Sequence, residues 1–356
     1  MTEKLPTTEN IAQLTPVKKN VFVYPIVPKR LNETGNPYTE DLITSLENNN
    51  FTVINKTDDR RHGILSLFNY FFSSDIFYFN WIENLPQKKF GYIQSLLFVA
   101  QLLLMKLFRK KVIWTLHNFN SHYSDSKLYL VIQRLMLKYS SLIILHSSEA
   151  TNFLKEKKVK LSKTFYFFHP FDNKLAVATQ QVPVGEPKTI DILIWGAMNS
   201  YKGVLEFVKF YTEHGLKFRL HIAGKFKDKK YLEKVNEFIS PEVTIDDSFI
   251  PDEQVIELHK QSRFVLFPYN GSSVLTSGAL AFSLSLKSAI IGPKLGAFKE
   301  LGEMGLINTF ESYSDIADIM RNGNEISPLN LNKFIEEHSW DNFGKSLFLA
   351  VSQRSR

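Results

Sequence analysis

The sequence predicts an α/β protein with two doubly wound, Rossmann-like domains that face each other across a cleft. Short apolar, β-branched runs alternate with helix-length segments along most of the chain, an alternation typical of parallel sheets covered by helices on both faces. A polar stretch with proline and glycine, 175–188, interrupts the alternation, as a linker between domains does. The length of 356 residues also exceeds what one hydrophobic core usually organises.

The first domain is predicted over 21–174, after a polar N-terminal segment, 1–20. Its expected strands are the apolar runs VFVYPIV (21–27), FTVIN (51–55), DIFYFNW (75–81), KVIWTLH (111–117), SLIILHS (141–147) and TFYFFHP (164–170). Helices are expected between these strands, near 38–48, 88–110, 126–138 and 148–158.

The second domain is predicted over 189–328, after the linker 175–188. Its expected strands are TIDILIWG (189–196), FRLHIAG (218–224), VTIDDSF (243–249), RFVLFPY (263–269) and SAIIGP (288–293). Helices are expected near 203–214, 228–239, 252–261 and from about Ser277. A last helical segment, 329–356, contains Trp340 and is expected to pack back on the first domain.

Composition and missing motifs exclude several classes of protein. Without cysteine the chain has no disulfide scaffold, zinc finger or thiol nucleophile. No G-x-G-x-x-G follows the first strand and no G-x-x-x-x-G-K-[ST] occurs, so dinucleotide and P-loop sites are not indicated. No Asp-x-Asp occurs either, so we expect a phosphate site that needs neither metal nor another cofactor. No secretory signal precedes the first strand, and we expect a cytoplasmic location.

The positive charge is concentrated in the first half of the chain. Residues 1–180 carry 23 Lys and Arg against 14 Asp and Glu, whereas residues 181–356 carry 20 against 22. This asymmetry indicates an anionic partner, either an anionic membrane or nucleic acid; lysines that only aid solubility are the simpler alternative. Because the basic residues are scattered and no nucleic-acid motif is present, we expect peripheral contact with a membrane and no nucleic acid.

The most apolar stretch is GYIQSLLFVAQLLLM, 91–105. It is too short to cross a membrane and is interrupted by Gln94, Ser95 and Gln101. Two interpretations stay open: a helix that covers the sheet, which we favour, or a helix that lies in a membrane interface. The second fits the basic residues at its two ends, which are Lys88, Lys89, Arg109, Lys110 and Lys111.

Open α/β sheets bind ligands at the carboxyl ends of their strands, and the second domain offers two candidate phosphate sites there. The first is a strand, a short loop and then a helix, with Gly196, Lys202 and Gly203. The second follows the strand 263–269 and opens a helix with free N–H groups, through Tyr269, Thr276, Ser277 and Gly278. Thr276 and Ser277 acting only as helix caps is the alternative.

The strand ends of the first domain offer further candidate ligand-binding residues. They comprise a loop with Gly35, Asn36 and Tyr38, the strand end at Trp81 and Glu83, and the strand end at His117 and Asn118. Trp81 is suited to stacking on a ligand, Glu83 to acting as a carboxylate base, and His117 to hydrogen bonding or proton relay with a pKa near neutrality. Core packing and a solvated charge are the alternatives for Trp81 and Glu83, and a hydrogen-bonded structural residue is the alternative for His117.

The order of these motifs resembles GT-B glycosyltransferases of the family-4 type and bacterial exopolysaccharide and lipopolysaccharide glycosyltransferases. WGAMNSYKGVLEFVKF (195–210) is similar to their GxxxxxKG segment, and VIWTLHNFNSHY (112–123) to their segment around a cleft histidine. DIFYFNWIE (75–83), FRLHIAGK (218–225) and FIPDEQVIELHKQSRFVLFPY (249–269) also resemble segments of these enzymes. The similarity runs from about residue 21 to residue 340.

The resemblance implies a two-domain transferase whose second domain holds a nucleotide-sugar donor and whose first domain holds the acceptor. It places Lys202 on the family's diphosphate-binding lysine and His117 on its cleft histidine. The family's arginine position is Ala197 here, and Lys225 is the candidate to replace that charge. The glutamate that holds the donor ribose is missing, because no Glu lies between Phe267 and Lys299.

The expected function is therefore a metal-independent hexosyltransferase of bacterial surface polysaccharide synthesis. It would move a sugar from a nucleotide-sugar donor to a lipid-linked or polysaccharide-precursor acceptor at the inner face of the cell membrane. Two alternatives stay open: a non-catalytic or regulatory GT-B-like protein, which the missing glutamate favours, and a basic nucleic-acid-binding protein.

Overall fold

The computed structural model describes residues 18–26, 37–57, 63–119, 127–172, 188–270, 277–323 and 328–354. Within them the chain forms two six-stranded sheets in which neighbouring strands run parallel. This confirms the predicted α/β class with two doubly wound sheets.

The first sheet has the order β2-β1-β3-β4-β5-β6. Its strands are β1 (Lys19–Tyr24), β2 (Phe51–Val53), β3 (Ile76–Asn80), β4 (Lys111–Leu116), β5 (Leu142–Leu145) and β6 (Thr164–Tyr166). In the middle of the sheet Ile113 of β4 pairs with Tyr78 of β3 and with Leu142 of β5. The central strands β3, β4 and β5 are almost continuously buried, because helices cover both faces of a parallel sheet.

The helices of the first domain follow its strands in alternation. They are α1 (Pro37–Asn48), α2 (Ser66–Tyr70), α3 (Gly91–Leu107), α4 (Lys127–Tyr139) and α5 (Glu149–Glu156), with 3₁₀ turns at Gly63–Leu65, Ile82–Gln87 and Leu161–Lys163.

The second sheet has the order β12-β11-β10-β7-β8-β9. Its strands are β7 (Ile190–Trp195), β8 (Leu220–Ala223), β9 (Val243–Asp246), β10 (Ser262–Leu266), β11 (Ile290–Pro293) and β12 (Asn308–Phe310). A 3₁₀ turn (Ser200–Lys202) precedes the helices α6 (Val204–Glu213), α7 (Lys229–Asn236), α8 (Asp252–Gln261), α9 (Gly278–Ser285), α10 (Gly296–Glu303) and α11 (Ser314–Asn322).

The sequence patterns missed the elements α2, α10, β12 and α11. The strand β12 has three residues, too few to show an alternating pattern. The helix α10 carries Gly296 and Gly302, and glycine weakens the helical signal. Tertiary packing stabilises α10 and β12, because they lie in close contact: a Cβ on Gly302 of α10 would lie only 2.4 Å from the methyl group of Thr309 in β12.

The C-terminal helical stretch consists of two helices, α12 (Pro328–Glu337) and α13 (Trp340–Gln353), where the sequence pattern indicated one. Ser339 separates them, because its side chain accepts a hydrogen bond from Asn342 N and caps α13. The helix α13 packs against α1, where a Cβ on Gly344 would lie 2.6 Å from the Ser45 carbonyl oxygen. Only glycine allows this approach of the two helices.

None of the helices within the described ranges is both long enough and apolar enough to cross a membrane.

Candidate functional site

The strand order of each sheet reverses at one point, and the predicted site residues lie near these two points. In the first sheet the reversal is between β1 and β3, and in the second it is between β7 and β10. A crevice forms at the carboxyl ends of the strands at such a point. Lys202 follows β7 and Tyr269 follows β10, so the two lie on either side of the crevice in the second domain.

Lys202 is a buried lysine without a counterion in the described part of the chain. Lys202 is only 6% exposed, and its Nζ lies 5.7 Å from the centre of the Tyr269 ring. Burial lowers the pKa of this lysine. No ion pair of the described residues includes it. Because a buried ammonium is costly without a partner, this position is suited to binding an anion.

Two glycines allow the loops around Lys202 to touch through their backbones. Gly203 has a φ of 68° and Gly224 a φ of 147°, both in a region that favours glycine. A Cβ on Gly203 would lie 2.0 Å from the Pro268 carbonyl oxygen, and one on Gly224 would lie 2.0 Å from the Gly196 carbonyl oxygen. The loops that follow β7, β8 and β10 therefore meet at one place.

The N-terminus of α9 opens at the same place. Ser277 caps this helix by accepting a hydrogen bond from Leu280 N, and its Oγ lies 3.1 Å from the Tyr269 hydroxyl. Within the described ranges, a Cβ on Gly278 would meet no atom closer than 4 Å, so these residues leave space beside the first turn. The N–H groups of a first turn lack intrahelical acceptors and attract anions. Ser277 is thus both a cap and a neighbour of the Lys202 site.

The structure changes the assignment of the second cation. Lys225 is exposed and makes an ion pair with Asp247 at 3.0 Å, so its charge is already balanced. Lys227, which the sequence did not single out, is the neighbouring cation whose charge contributes to the low pKa of Lys202. Lys227 is therefore a further candidate for the role of the missing arginine.

A cavity of about 590 Å³ adjoins this site at the ends of β10, β11 and β12. It shares Tyr269 with the Lys202 site and contains the carboxylates of Glu206 and Glu311. Glu311 pairs with Lys294 at 2.7 Å. Glu206 lies in the first turn of α6, four residues after Lys202. It has no ion pair or hydrogen bond with any residue of the described ranges, and the sequence analysis did not single it out. The lining residues are Glu206, Tyr269, Asn270, Pro293, Lys294, Leu295, Phe310, Glu311, Ser312 and Tyr313.

The first domain contributes a cluster of buried aromatic and histidine rings, which we call the Tyr38 cluster. The Tyr38 ring makes edge-to-face contacts with five other rings, at centroid distances from 4.9 to 5.7 Å. These rings come from the ends of β3, β4 and β5, from the segment after β6 and from α13, and they belong to Trp81, His117, His146, His169 and Trp340.

His117 is held in the Tyr38 cluster by contacts on both sides. Its Nε2 lies 3.1 Å from Asn80 Oδ1, and the Trp81 ring stacks on it at 4.1 Å, leaving the residue 4% exposed. Burial, followed by the charges of His146 and His169, lowers the pKa of His117 well below its ordinary value. The expectation of a pKa near neutrality is therefore wrong: the ring is neutral and is suited to hydrogen bonding.

The other two histidines of the cluster are also neutral. His146 accepts a hydrogen bond from the Tyr38 hydroxyl at Nε2 and donates one to the Phe167 carbonyl from Nδ1, both at 2.8 Å. Burial lowers the pKa of His146 to about 3 and that of His169 to about 4. Both rings are hydrogen-bonded parts of the fold.

We expect the protein to lose stability as the pH falls below about 6.5, the ordinary pKa of histidine. The unfolded chain binds protons on His146 and His169 at a higher pH than the folded chain does, so acid favours unfolding. With folded pKa values of about 3 and about 4, the loss at pH 5 is about 2 kcal/mol for each histidine. Urea unfolding between about pH 7 and pH 5 measures it.

The variant His169→Gln, which cannot titrate, should make this pH dependence weaker. The exposed His214, which lies outside the Tyr38 cluster, provides the control for a histidine-to-glutamine change. An unchanged slope in the His169 variant would contradict the assignment.

Glu83 requires a correction. It is fully buried, and its Oε2 accepts a hydrogen bond from Trp114 Nε1 at 3.1 Å, inside the core. Burial raises its pKa to about 7. A side chain without exposed surface cannot reach an acceptor hydroxyl, so Glu83 does not suit the role of general base.

The remaining predicted acceptor-side residues fall into two groups. Tyr38 and Trp81 lie in the Tyr38 cluster, and Asn118 follows His117 at the end of β4, half-buried. Gly35, Asn36 and Thr276 lie outside the described residues.

The two domains contact each other through two glutamates, which we call the interdomain clasp. The Glu149 carboxylate of α5 accepts a hydrogen bond from Gly296 N at the start of α10, at 2.8 Å. The Glu300 carboxylate of α10 accepts one from Ser148 N at the start of α5, at 3.0 Å, and one from the Tyr166 hydroxyl. Each carboxylate thus meets the N-terminus of the other helix, where negative charge is favoured.

No group of three or more His, Asp or Glu side chains in the described ranges is arranged to hold a metal ion.

No protein-family model matches the sequence, and no curated protein is similar to it. Solved structures match nearly the whole chain. Anabaena Alr3699/HepE in complex with UDP has a TM-score of 0.67 at 12% identity and covers 94% of this chain and 100% of its own. A glycosyltransferase from Rickettsia africae ESF-5 has a TM-score of 0.64 at 14% identity and covers 94% and 97%. AviGT4, a glycosyltransferase involved in avilamycin A biosynthesis, has a TM-score of 0.59 at 12% identity and covers 93% of this chain and 96% of its own.

The chain has the GT-B glycosyltransferase fold. In this fold the Lys202 site belongs to the second sheet and the Tyr38 cluster to the first, with the interdomain clasp between helices of the two domains. One crevice brings together six of the predicted donor-site residues, namely Lys202, Gly196, Gly203, Tyr269, Ser277 and Gly278. Lys225 pairs with Asp247 and Glu83 lies in the core beside Trp114, so the side chains of these two residues are not part of that crevice.

Proposed function

We propose that the protein is a glycosyltransferase that uses a nucleotide-sugar donor. The observation that carries this proposal is Lys202, a buried cation that has no ion pair with any described residue and lies beside the N-terminus of α9 in a GT-B fold. Lysine and first-turn N–H groups together match the charge and the acceptors of a diphosphate. Structures of Anabaena Alr3699/HepE with UDP, with UDP and glucose, and with UDP-glucose support a nucleotide sugar as the ligand class.

The donor would extend from the Lys202 site into the cavity of about 590 Å³, a volume in the range of ligand pockets. Sugar and ribose hydroxyls are hydrogen-bond donors, and the carboxylate of Glu206, which no described residue pairs with, is an acceptor in the wall of that cavity. We propose that Glu206 supplies the acceptor that the segment 267–299 lacks.

In the transfer step, an acceptor hydroxyl oxygen forms a bond to the anomeric carbon, and the bond from that carbon to the diphosphate oxygen breaks. The electron pair leaves with the diphosphate, whose charge Lys202, Lys227 and the α9 N-terminus stabilise. The proton of the acceptor hydroxyl passes to solvent. The neutral His117 ring would hydrogen-bond a hydroxyl of the transferring sugar.

We propose a lipid-linked or polysaccharide-precursor acceptor in bacterial surface polysaccharide synthesis, and peripheral attachment to the inner face of the cell membrane. The support is the excess of basic residues in the first half of the chain, which favours contact with anionic lipids, together with the resemblance of VIWTLHNFNSHY (112–123) to enzymes of that class.

Calorimetry with UDP-, GDP- and CMP-sugars in the presence of EDTA tests the donor proposal. We expect one nucleotide class to bind in EDTA with unchanged affinity, because lysines and helix N–H groups neutralise the diphosphate. A ligand at 100 times its Kd should also stabilise the fold by about 2.7 kcal/mol. Binding by none of the three classes would contradict the proposal, and binding that requires Mg²⁺ or Mn²⁺ would contradict its metal-independent part.

A non-catalytic GT-B-like protein is the second candidate. The absence of Glu from 267–299 and the small exposure of His117 favour it. It predicts nucleotide binding without sugar transfer or donor hydrolysis, which the same samples test by product analysis.

A further inference from the structure

The helix α3 carries apolar side chains on both faces: Phe98, Leu102 and Met105 are buried in the core, and a second apolar face points outward. Ser95 and Gln101 are fully buried, where Ser95 Oγ donates to the Gly91 carbonyl and Gln101 Nε2 donates to the Ile64 carbonyl. Gln101 Oε1 has no hydrogen-bond partner among the described residues. The outward face consists of large apolar side chains, namely Tyr92, Ile93, Leu96, Leu103, Leu104 and Leu107. Exposed apolar area of this kind is favourable only when a partner covers it.

Neighbouring elements extend this face into one apolar surface, which we call the α3 surface. Phe108 follows α3 and contacts Phe72 at 6.0 Å between ring centroids, and both are exposed. Phe90, just before α3, is also exposed. More than half of the exposed large apolar side chains of the described residues lie between 65 and 108, whereas monomeric proteins usually expose such residues singly.

Cations border the α3 surface at both ends. Lys88 and Lys89 precede the helix, and Lys106 and Arg109 lie at its other end. None of these four makes an ion pair with a carboxylate of the described ranges. The helix of 17 residues is about 26 Å long, so cations at both ends can meet headgroups only if it lies parallel to a membrane plane.

We propose that the α3 surface inserts into the interface of a membrane that contains anionic lipids. Leucine and aromatic side chains enter the boundary of the acyl chains, and the bordering cations contact the headgroups. A second copy of the chain fits less well, because a symmetric contact through this face would bring the same cations together. This docking does not depend on the transferase activity. Since α3 begins near the carboxyl end of β3, it would also hold the edge that carries the Tyr38 cluster near the membrane.

Vesicle co-sedimentation tests the proposal, with phosphatidylcholine alone and with equal parts of phosphatidylcholine and phosphatidylglycerol. We expect the wild type to bind the anionic vesicles and to lose part of its affinity at high salt, since salt screens the headgroup contacts. The double variant Leu96→Glu, Leu103→Glu should bind at least about tenfold more weakly at both salt concentrations, because it removes apolar insertion.

Leu349 is the matched control, because it is as exposed as Leu96, both at 59%, and lies on α13. Leu349→Glu should bind as the wild type does. Lys88→Gln with Lys89→Gln should reduce the preference for anionic vesicles. The melting temperature of each variant shows whether weaker vesicle binding reflects loss of folding. The nucleotide affinity of each variant shows whether the proposed donor binding is present independently of membrane docking. Equal vesicle binding by the double variant and the wild type would overturn the proposal. It would also be overturned if the wild type did not bind vesicles but formed a dimer, and the double variant were a monomer.

Discussion

Replacing His117 by alanine should lower kcat and kcat/KM together by about a hundredfold or more while nucleotide affinity barely changes. A group that hydrogen-bonds the sugar mainly in the transition state contributes in this range. Because the imidazole ring of His117 is neutral, the pH optimum of the reaction does not depend on its protonation, and the alanine variant should have the same pH optimum. Single-turnover rates and nucleotide binding, measured on the same preparation, give both quantities.

The contacts of His117 with Asn80 and Trp81 make a structural role the competing explanation. His169→Ala is therefore the matched control, as a second buried histidine of the Tyr38 cluster. It should lower the melting temperature without a selective loss of turnover. A His117→Ala protein that folds and turns over as the wild type does would remove His117 from the mechanism.

Replacing Lys202 by alanine should weaken donor binding by about 1.5–3 kcal/mol, the range for losing a charge-assisted hydrogen bond. Wild-type affinity should also fall as the pH rises, because the ammonium binds the diphosphate and its deprotonated form does not. Since the pKa of Lys202 is lowered by burial, this decline should begin below the ordinary range of lysine. Calorimetry with the nucleotide at several pH values measures both effects.

Lys227→Ala should weaken the same binding by a smaller amount, since Lys227 is exposed and water screens its charge. The exposed Lys230 of α7 serves as the control, and Lys230→Ala should bind as the wild type does. Unchanged affinity in the Lys202 variant would contradict the diphosphate assignment.

Local patterns were sufficient for most of the fold. Runs such as KVIWTLH (111–117) are apolar, β-branched and short, and most of them were followed by a helical pattern, so parallel sheets were the consistent interpretation. The segments 296–303 and 308–310 were missed because their stability comes from packing with each other rather than from a periodic pattern.

The sequence by itself determined the two-sheet α/β fold, the excess of positive charge in the first half and the lysine at 202, because these depend on composition and on the spacing of neighbouring residues. Tertiary structure decided what each side chain touches. It paired Lys225 with Asp247, enclosed Glu83 beside Trp114 and turned one apolar face of α3 outward. Burial and the approach of distant residues set charge balance and pKa, and neither is encoded in the spacing of residues along the chain.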